Sequence, residues 1–174
     1  QAENYDSTNH VLIGSAWHHG LFGSVLNSNI INLGLVGNCT IRGWAAVGGF
    51  IGSFLASGNY NDTTVYNLEN CYIAIKGNVE AVNYLGGNRY VGGFIGNIGS
   101  PSNTNLFGGT INIKNCYNMM QGNIMPIVNT NLHQISSTQD AINSGGGYSG
   151  FLGIISNKRT RNTNVHITNC YNVM

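Results

Sequence analysis

In 174 residues the chain carries seven Lys and Arg against six Asp and Glu, a net charge of +1 with only 7% of residues charged, which leaves no electrostatic footprint for nucleic acid or an anionic membrane surface. A hydrophobic fraction of 42% separates it from disordered chains, which are charged and poor in β-branched and aromatic residues, and no apolar run reaches the ~20 residues of a membrane-spanning helix. Asparagine and glycine dominate instead, at 28 and 25 residues, and both suit the positive-φ corners at which short strands turn.

The chain opens at Gln1 without an initiator Met, as expected of a secreted, extracellular or cell-surface protein that has lost a signal peptide, or of a chain trimmed at its start. The first element is an apolar strand within residues 1–15, centred on Val11, Leu12 and Ile13. Trp17-His18-His19 follows. An aromatic beside two imidazoles could grip a sugar or a metal; a corner with a solvated His and a packed Trp is the plainer reading. A glycine-bracketed apolar pair then appears as Gly20-Leu-Phe-Gly23 and recurs as Gly49-Phe-Ile-Gly52, Gly93-Phe-Ile-Gly96 and Gly150-Phe-Leu-Gly153.

Each bracket precedes an Asn-Cys pair. The first is Asn38-Cys39-Thr40; the others are Asn70-Cys71-Tyr72, Asn115-Cys116-Tyr117 and Asn169-Cys170-Tyr171. From Phe22, Phe50, Phe94 and Phe151 to the matching cysteine the separation is 17, 21, 22 and 19 residues, whereas the return to the next Phe takes 11, 23 and 35. A unit with length variation confined to fixed places is the mark of a repeat architecture. The units span about 16–43, 44–85, 86–126 and 145–174, with an insertion at 127–144, all in one domain.

Within a unit the apolar residues alternate with period two and are rich in β-branched types, as in Thr110-Ile-Asn-Ile-Lys-Asn-Cys-Tyr and Asn164-Val-His-Ile-Thr-Asn-Cys-Tyr. That pattern turns Ile111, Ile113 and Cys116 towards a core. About three strands per unit are expected: the Gly-Phe-Ile-Gly strand, the Asn-Cys-Tyr strand, and one beginning Gly77-Asn-Val79 or Gly122-Asn-Ile124. The fold class is therefore all-β, a right-handed parallel β-solenoid (β-helix) of about four coils with loop insertions. Identical side chains stack in ladders, and corner asparagines exchange amide hydrogen bonds between coils.

The bracket followed by Asn-Cys-Tyr, with the phrase Ile30-Ile-Asn-Leu-Gly-Leu-Val-Gly37, resembles the GLUG-type repeats of secreted and cell-surface proteins, including bacterial adhesins and large surface peptidases. The resemblance covers nearly all of the chain from about residue 11. It implies a β-solenoid on an extracellular protein, and in such peptidases the repeats lie outside the catalytic domain. The long insertions Asn97–Gly109 and Asn129–Gly147 depart from the pattern.

One cysteine per coil makes a column of Cys39, Cys71, Cys116 and Cys170. It reads as buried free thiols, or as disulfides pairing Cys39 with Cys71 and Cys116 with Cys170, although in-register side chains suit the bridge torsion poorly. No close Cys-x-x-Cys pair points to a metal. Two sequons, at Asn38 and Asn61, permit N-glycosylation in a eukaryotic secretory route; Asn61 lies in a polar loop, and Asn38 abuts a strand and is expected to be enclosed.

No catalytic constellation emerges. Glycan cleavage needs acids gathered on one face, and Glu3, Asp6, Asp62, Glu69, Glu80 and Asp140 do not recur at equivalent positions. His133, His166 and the basic cluster Lys158-Arg159-x-Arg161 receive no role, and no cofactor is expected. The chain stops at Tyr171-Asn-Val-Met174, before the strand that should complete its coil, while the Val11-Leu12-Ile13 strand precedes the first. Head-to-tail stacking is therefore expected, with Val11, Leu12 and Ile13 of one copy meeting Tyr171 and Val173 of another. Such a heterologous contact does not close and generates a filament. The alternatives are a fragment of a longer surface protein, a carbohydrate-binding adhesin module displaying Tyr84, Tyr90, Tyr148 or Trp44 to surface glycans, and an ice-binding face, for which Thr63-Thr64, Thr104 and Thr163 form no regular ladder.

Overall fold

Asparagine at positive φ sets the corners. Asn70, Asn115 and Asn169 each adopt φ 53°, with Asn27 at 47° and Asn32 at 58°, a region Asn enters more readily than other non-glycine residues. Between such corners the alternating apolar stretches stay extended. A computed structural model describes residues 4–6, 11–13, 18–55, 63–83, 89–99, 108–128, 146–155 and 162–173, all of them strand, turn or irregular.

The strands are β1 (Asn4–Asp6), β2 (Val11–Ile13), then a first coil of β3 (His18–His19), β4 (Phe22–Leu26), β5 (Ile30–Ile31), β6 (Gly34–Gly37) and β7 (Thr40–Gly43). The second coil is β8 (Ala46–Gly48), β9 (Ile51–Leu55), β10 (Val65–Glu69), β11 (Tyr72–Ile75) and β12 (Val79–Asn83). The third is β13 (Arg89–Gly92), β14 (Ile95–Ile98), β15 (Gly108–Lys114), β16 (Tyr117–Asn118) and β17 (Ile124–Val128), and the fourth is β18 (Gly146–Ser149), β19 (Leu152–Ile155), β20 (Asn162–Thr168) and β21 (Tyr171–Asn172).

Equivalent strands pair in parallel. Four sheets run β3-β8-β13-β18, β4-β9-β14-β19, β5-β10-β15-β20 and β6-β11-β16-β21; the fifth runs β1-β2-β7-β12-β17. The molecule is an all-β parallel solenoid of about four coils. A full coil has five strands rather than three, because the motifs sit at corners and divide strands: Gly49-Phe50 separates β8 from β9, and Asn70-Cys71 separates β10 from β11. Among the described residues one pairing is antiparallel. β1 runs back along the outer edge of β2, with Asn4 opposite Ile13, Tyr5 opposite Leu12 and Asp6 opposite Val11.

Register revises the first repeat. Tyr72 pairs with Gly34 and Tyr117, so Asn32-Leu33-Gly34 is the first coil's counterpart of Asn-Cys-Tyr. Cys39 lies one corner further on, level with Gly77, because Ile41 pairs with Val79. Likewise Phe22 pairs with Ile51, which sets Leu21 opposite Phe50. Coil 1 turns from β4 to β5 through Asn27–Asn29 alone, so its spacing is shorter than that of its successors, and length also varies ahead of the Asn-Cys corner.

The core runs along the axis. Phe50, Phe54, Ile51, Leu68, Ile73, Ile75, Phe94, Ile95, Ile98, Ile111 and Ile113 are all essentially solvent-free. Phe94 stacks on Phe50 at 5.0 Å and 10° and on Phe151 at 4.9 Å and 19°, and Phe22 meets Phe50 edge-on at 5.8 Å. Such pairs add about 0.5–1.5 kcal/mol each beyond area burial.

Candidate assembly faces

Three side-chain columns near the Asn-Cys corner show how the stack propagates and where it is left open. The first is made of asparagine amides. Nδ2 of Asn70 donates to Oδ1 of Asn32 at 2.9 Å, Asn115 to Asn70 at 3.0 Å, and Asn169 to Asn115 at 3.3 Å. Every amide donates towards the preceding coil. Within this column Asn32 therefore presents N–H groups at one end and Asn169 a carbonyl oxygen at the other.

The second column is Leu33, Cys71, Cys116 and Cys170. All four cysteines of the chain are free thiols. Each ladder thiol donates to the carbonyl two residues back: Cys71 to Glu69 at 3.3 Å, Cys116 to Lys114 at 3.3 Å and Cys170 to Thr168 at 3.3 Å. The hydrogen bond with Cys71, together with burial, pushes the Cys116 thiol far above its ordinary range. Burial also raises Cys39, at its separate corner. Nucleophilic chemistry requires a thiolate, which the surroundings of Cys39 and Cys116 disfavour, whereas the shared hydrogen bond with Cys116 lowers Cys71 to about 7.

The third column is tyrosine. Tyr72, Tyr117 and Tyr171 stack at 5.1 Å with interplanar angles of 10° and 5°. The ring of Tyr72 lies over Gly34, where a Cβ would collide with it; glycine there leaves room for the ring.

At the ends these columns emerge into solvent. Leu68 and Ile113 are fully buried, but Ile167, in the same column through the β10-β15-β20 register, is 44% exposed. Phe50 and Phe94 are buried, whereas Leu21, opposite Phe50, is 42% exposed. Leu26, Ile31, Leu33 and Val36 are exposed on the first coil, and Tyr148, Ile155, Tyr171 and Val173 on the fourth. Leu21 and Leu33 on the first-coil face, and Tyr148, Ile155 and Ile167 on the fourth-coil face, are the uncovered members of columns buried in the middle coils.

Of the residues expected at the interface, Tyr171 and Val173 do lie on the fourth-coil face. Val11, Leu12 and Ile13 form β2, which pairs with β7 of its own chain on one edge, Leu12 opposite Ile41, and with β1 on the other. Sequence reading missed Leu21, Leu33 and Ile167, whose signal was their place in columns that are buried in the middle coils, and Val36, which is level with Ala74 and exposed Met119. It also missed the covering of β2 by β1.

The other candidates fall as follows. Trp17, Asn61, Tyr84, His133 and Asp140 lie outside the described residues. Asn38, expected to be enclosed, is exposed at the corner before β7. His18 is half-buried and bonded to the Ser24 hydroxyl at 3.0 Å; burial, and then His19, hold it below the ordinary histidine value. His19 is buried level with Val47, so neither imidazole is solvated as expected. Tyr148 occupies the core column of Val91 and Val47, whereas Trp44 is exposed between β7 and β8.

Polar side chains are otherwise used structurally. Glu80, nearly buried, accepts from Arg42 Nε at 2.7 Å and from Asn78 Nδ2 at 2.8 Å, and Lys114 pairs with Glu69 at 3.3 Å. A shallow polar depression of about 340 Å³ on the outer face of β10, β15 and β20 is lined by Asn67, Glu69, Asn112, Lys114, His166 and Thr168. Among the described residues no group of three or more His, Cys, Asp and Glu is placed to hold a metal, and no helix is long and apolar enough to cross a membrane. Comparison with protein-family models, curated proteins and solved structures finds no match to this chain.

Proposed function

We propose that the protein is a non-enzymatic, extracellular structural subunit that stacks head to tail into a filament through its two end faces. The carrying observation is that columns buried in the middle coils lose their cover at the ends, at Ile155, Ile167 and half-buried Cys170 on the fourth coil and at Leu21 and Leu33 on the first. Continuing the register one coil beyond the fourth sets Ile167 against Ile30, Cys170 against Leu33, Ile155 against Val25 and Val173 against Val36 of the next copy. Tyr171 meets Gly34, the one member of its column without a side chain. The outward-facing carbonyl of Asn169 meets the outward-facing N–H groups of Asn32, so the amide column continues without reversal. An interface of two unlike faces does not close on itself and extends indefinitely. The resemblance to GLUG-type repeats supports the extracellular placement.

Negative-stain electron microscopy of the purified protein at neutral pH tests this. Unbranched fibres are expected, with a rise of roughly 20 Å per subunit for four coils at about 4.8 Å each. Ile167→Asp and Leu33→Asp, each at an end, should abolish fibres while preserving the β-rich circular dichroism of the folded subunit. Discrete particles from the unaltered protein would overturn the proposal.

A second reading, a glycan-binding surface module, is favoured by the depression beside Lys114 and His166, whose amides, carboxylate and ammonium suit sugar hydroxyls. Glycan-array binding lost in Asn112→Ala would support it.

A further inference from the structure

We infer that β1 is a detachable clasp, and that β17 of a neighbouring copy replaces it on β2 when two subunits join; this rests on the filament reading above. One of the five sheets is displaced by a coil relative to the others. Four sheets contain one strand from each of coils one to four, whereas the fifth contains β2, β7, β12 and β17, one coil earlier throughout. Stacking a copy so that its β3, β4, β5 and β6 continue from β18, β19, β20 and β21 therefore carries its β2 into the row next to the neighbour's β17. The offset leaves β2 between its own β7 and the neighbour's β17.

That outer edge of β2 is already held by β1, through Asn4, Tyr5 and Asp6. The two partners compete for one row of backbone groups, so β1 pairing and a complete joint exclude each other. β1 is the weaker claimant by construction. It is three residues long and antiparallel in a sheet otherwise parallel, and it leaves no continuous column beyond itself, whereas β17 arrives with four further sheets joining at once.

The edge of β17 is prepared for this exchange. Ile41 donates its N–H to Asn78 of the following coil and Val79 donates to Asn123. Ile124 occupies the same position, since Val79 pairs with Ile124, so its N–H points to the open edge. Two residues on, Pro126 shares that orientation and has no N–H to offer, as is typical of an edge strand. Leu12 is equivalent to Ile41 and hence to Ile124, so Val11–Ile13 meet residues 123–125, ahead of the proline. The joint uses the part of the β17 edge that can donate.

Three variants, each confirmed as folded by circular dichroism, separate this inference from the filament reading itself. Removing residues 1–6 should shorten the lag of fibre growth, followed by light scattering and electron microscopy, by several-fold. Removing residues 1–13 should eliminate growth, since β2 goes too. Tyr5 and Leu12 are direct partners, and paired Cα atoms in an antiparallel ribbon lie about 4.5–5.5 Å apart, within disulfide range. Y5C/L12C, oxidised and verified by mass, should therefore remain monomeric until reductant releases the clasp. Wild-type fibres with unchanged kinetics in the chain lacking residues 1–6, or normal growth of the oxidised double variant, would refute the clasp and leave the filament standing. Absence of fibres from both wild type and the chain lacking residues 1–6 would refute both.

Discussion

Asn115 joins two physical demands in one residue, and two substitutions there separate them. It holds φ at 53° and sits mid-column, donating to Asn70 at 3.0 Å and accepting from Asn169 at 3.3 Å. Asn115→Ala removes both amide bonds, each contributing about 0.5–1 kcal/mol at a half-exposed site, and puts alanine, which lacks asparagine's tolerance of the left-handed region, into a conformation costing it about 1–2 kcal/mol. The expected loss is about 2–4 kcal/mol. Asn115→Gly removes the same bonds without the left-handed cost, but loosens the unfolded chain by about 0.4–1 kcal/mol, so it should be the milder change by roughly 0.5–1 kcal/mol. Urea unfolding followed by circular dichroism measures both, and with slopes of about 1–3 kcal/mol per molar the midpoint should fall by about 1 M or more for alanine. If the alanine variant proved at least as stable as the glycine variant, the corner conformation would not be what selects asparagine. If both matched the unaltered chain, the amide column would contribute nothing.

Gly92→Ala should cost about 3 kcal/mol or more, because a Cβ there collides with the Ile95 carbonyl oxygen, which is fixed backbone; an unchanged melting temperature would contradict the packing described. His18 has a folded-state pKa below its ordinary 6.5, so the unfolded chain takes up that proton first as pH falls. Stability should therefore decline from about pH 6.5 downwards, and His18→Gln should flatten that decline in urea midpoints taken between pH 7.5 and 5. Cys170, half-buried on the end face, should be alkylated faster than Cys116 in the free subunit and become protected in fibres, as read by mass spectrometry. Equal labelling of Cys170 in both states would place the joint elsewhere.

The solenoid was legible because its signals are periodic and local. Alternation in Ile111-Asn-Ile-Lys114 sets which residues face inward, and Asn-Cys marks a corner wherever it occurs. Register was harder to read. Leu33 fills the place of a cysteine in the first coil, since the column asks only for a modest apolar side chain there, and matching by residue identity led to Cys39 instead. Strand count was blurred for a related reason: a glycine bracket reads as extended chain, yet Gly49-Phe50 is where the chain bends. The antiparallel β1 carries no repeat signature, and its pairing with β2 depends on tertiary approach. The end faces became visible only when exposure was compared along columns, as between Ile113 and Ile167.

Because every inter-strand hydrogen bond lies along the stack, tension applied between the ends pulls on those bonds directly, and the strands crossing one plane share the load. Five strand pairs cross between the first and second coils and five between the second and third, but among the described residues only four cross between the third and fourth, where β17 has no successor. Among the described strands, the third-to-fourth plane thus carries the fewest ties. In a joined filament, the strand that crosses from the neighbour beside β17 would restore the fifth tie, making the assembled fibre tougher at that plane than its isolated building block.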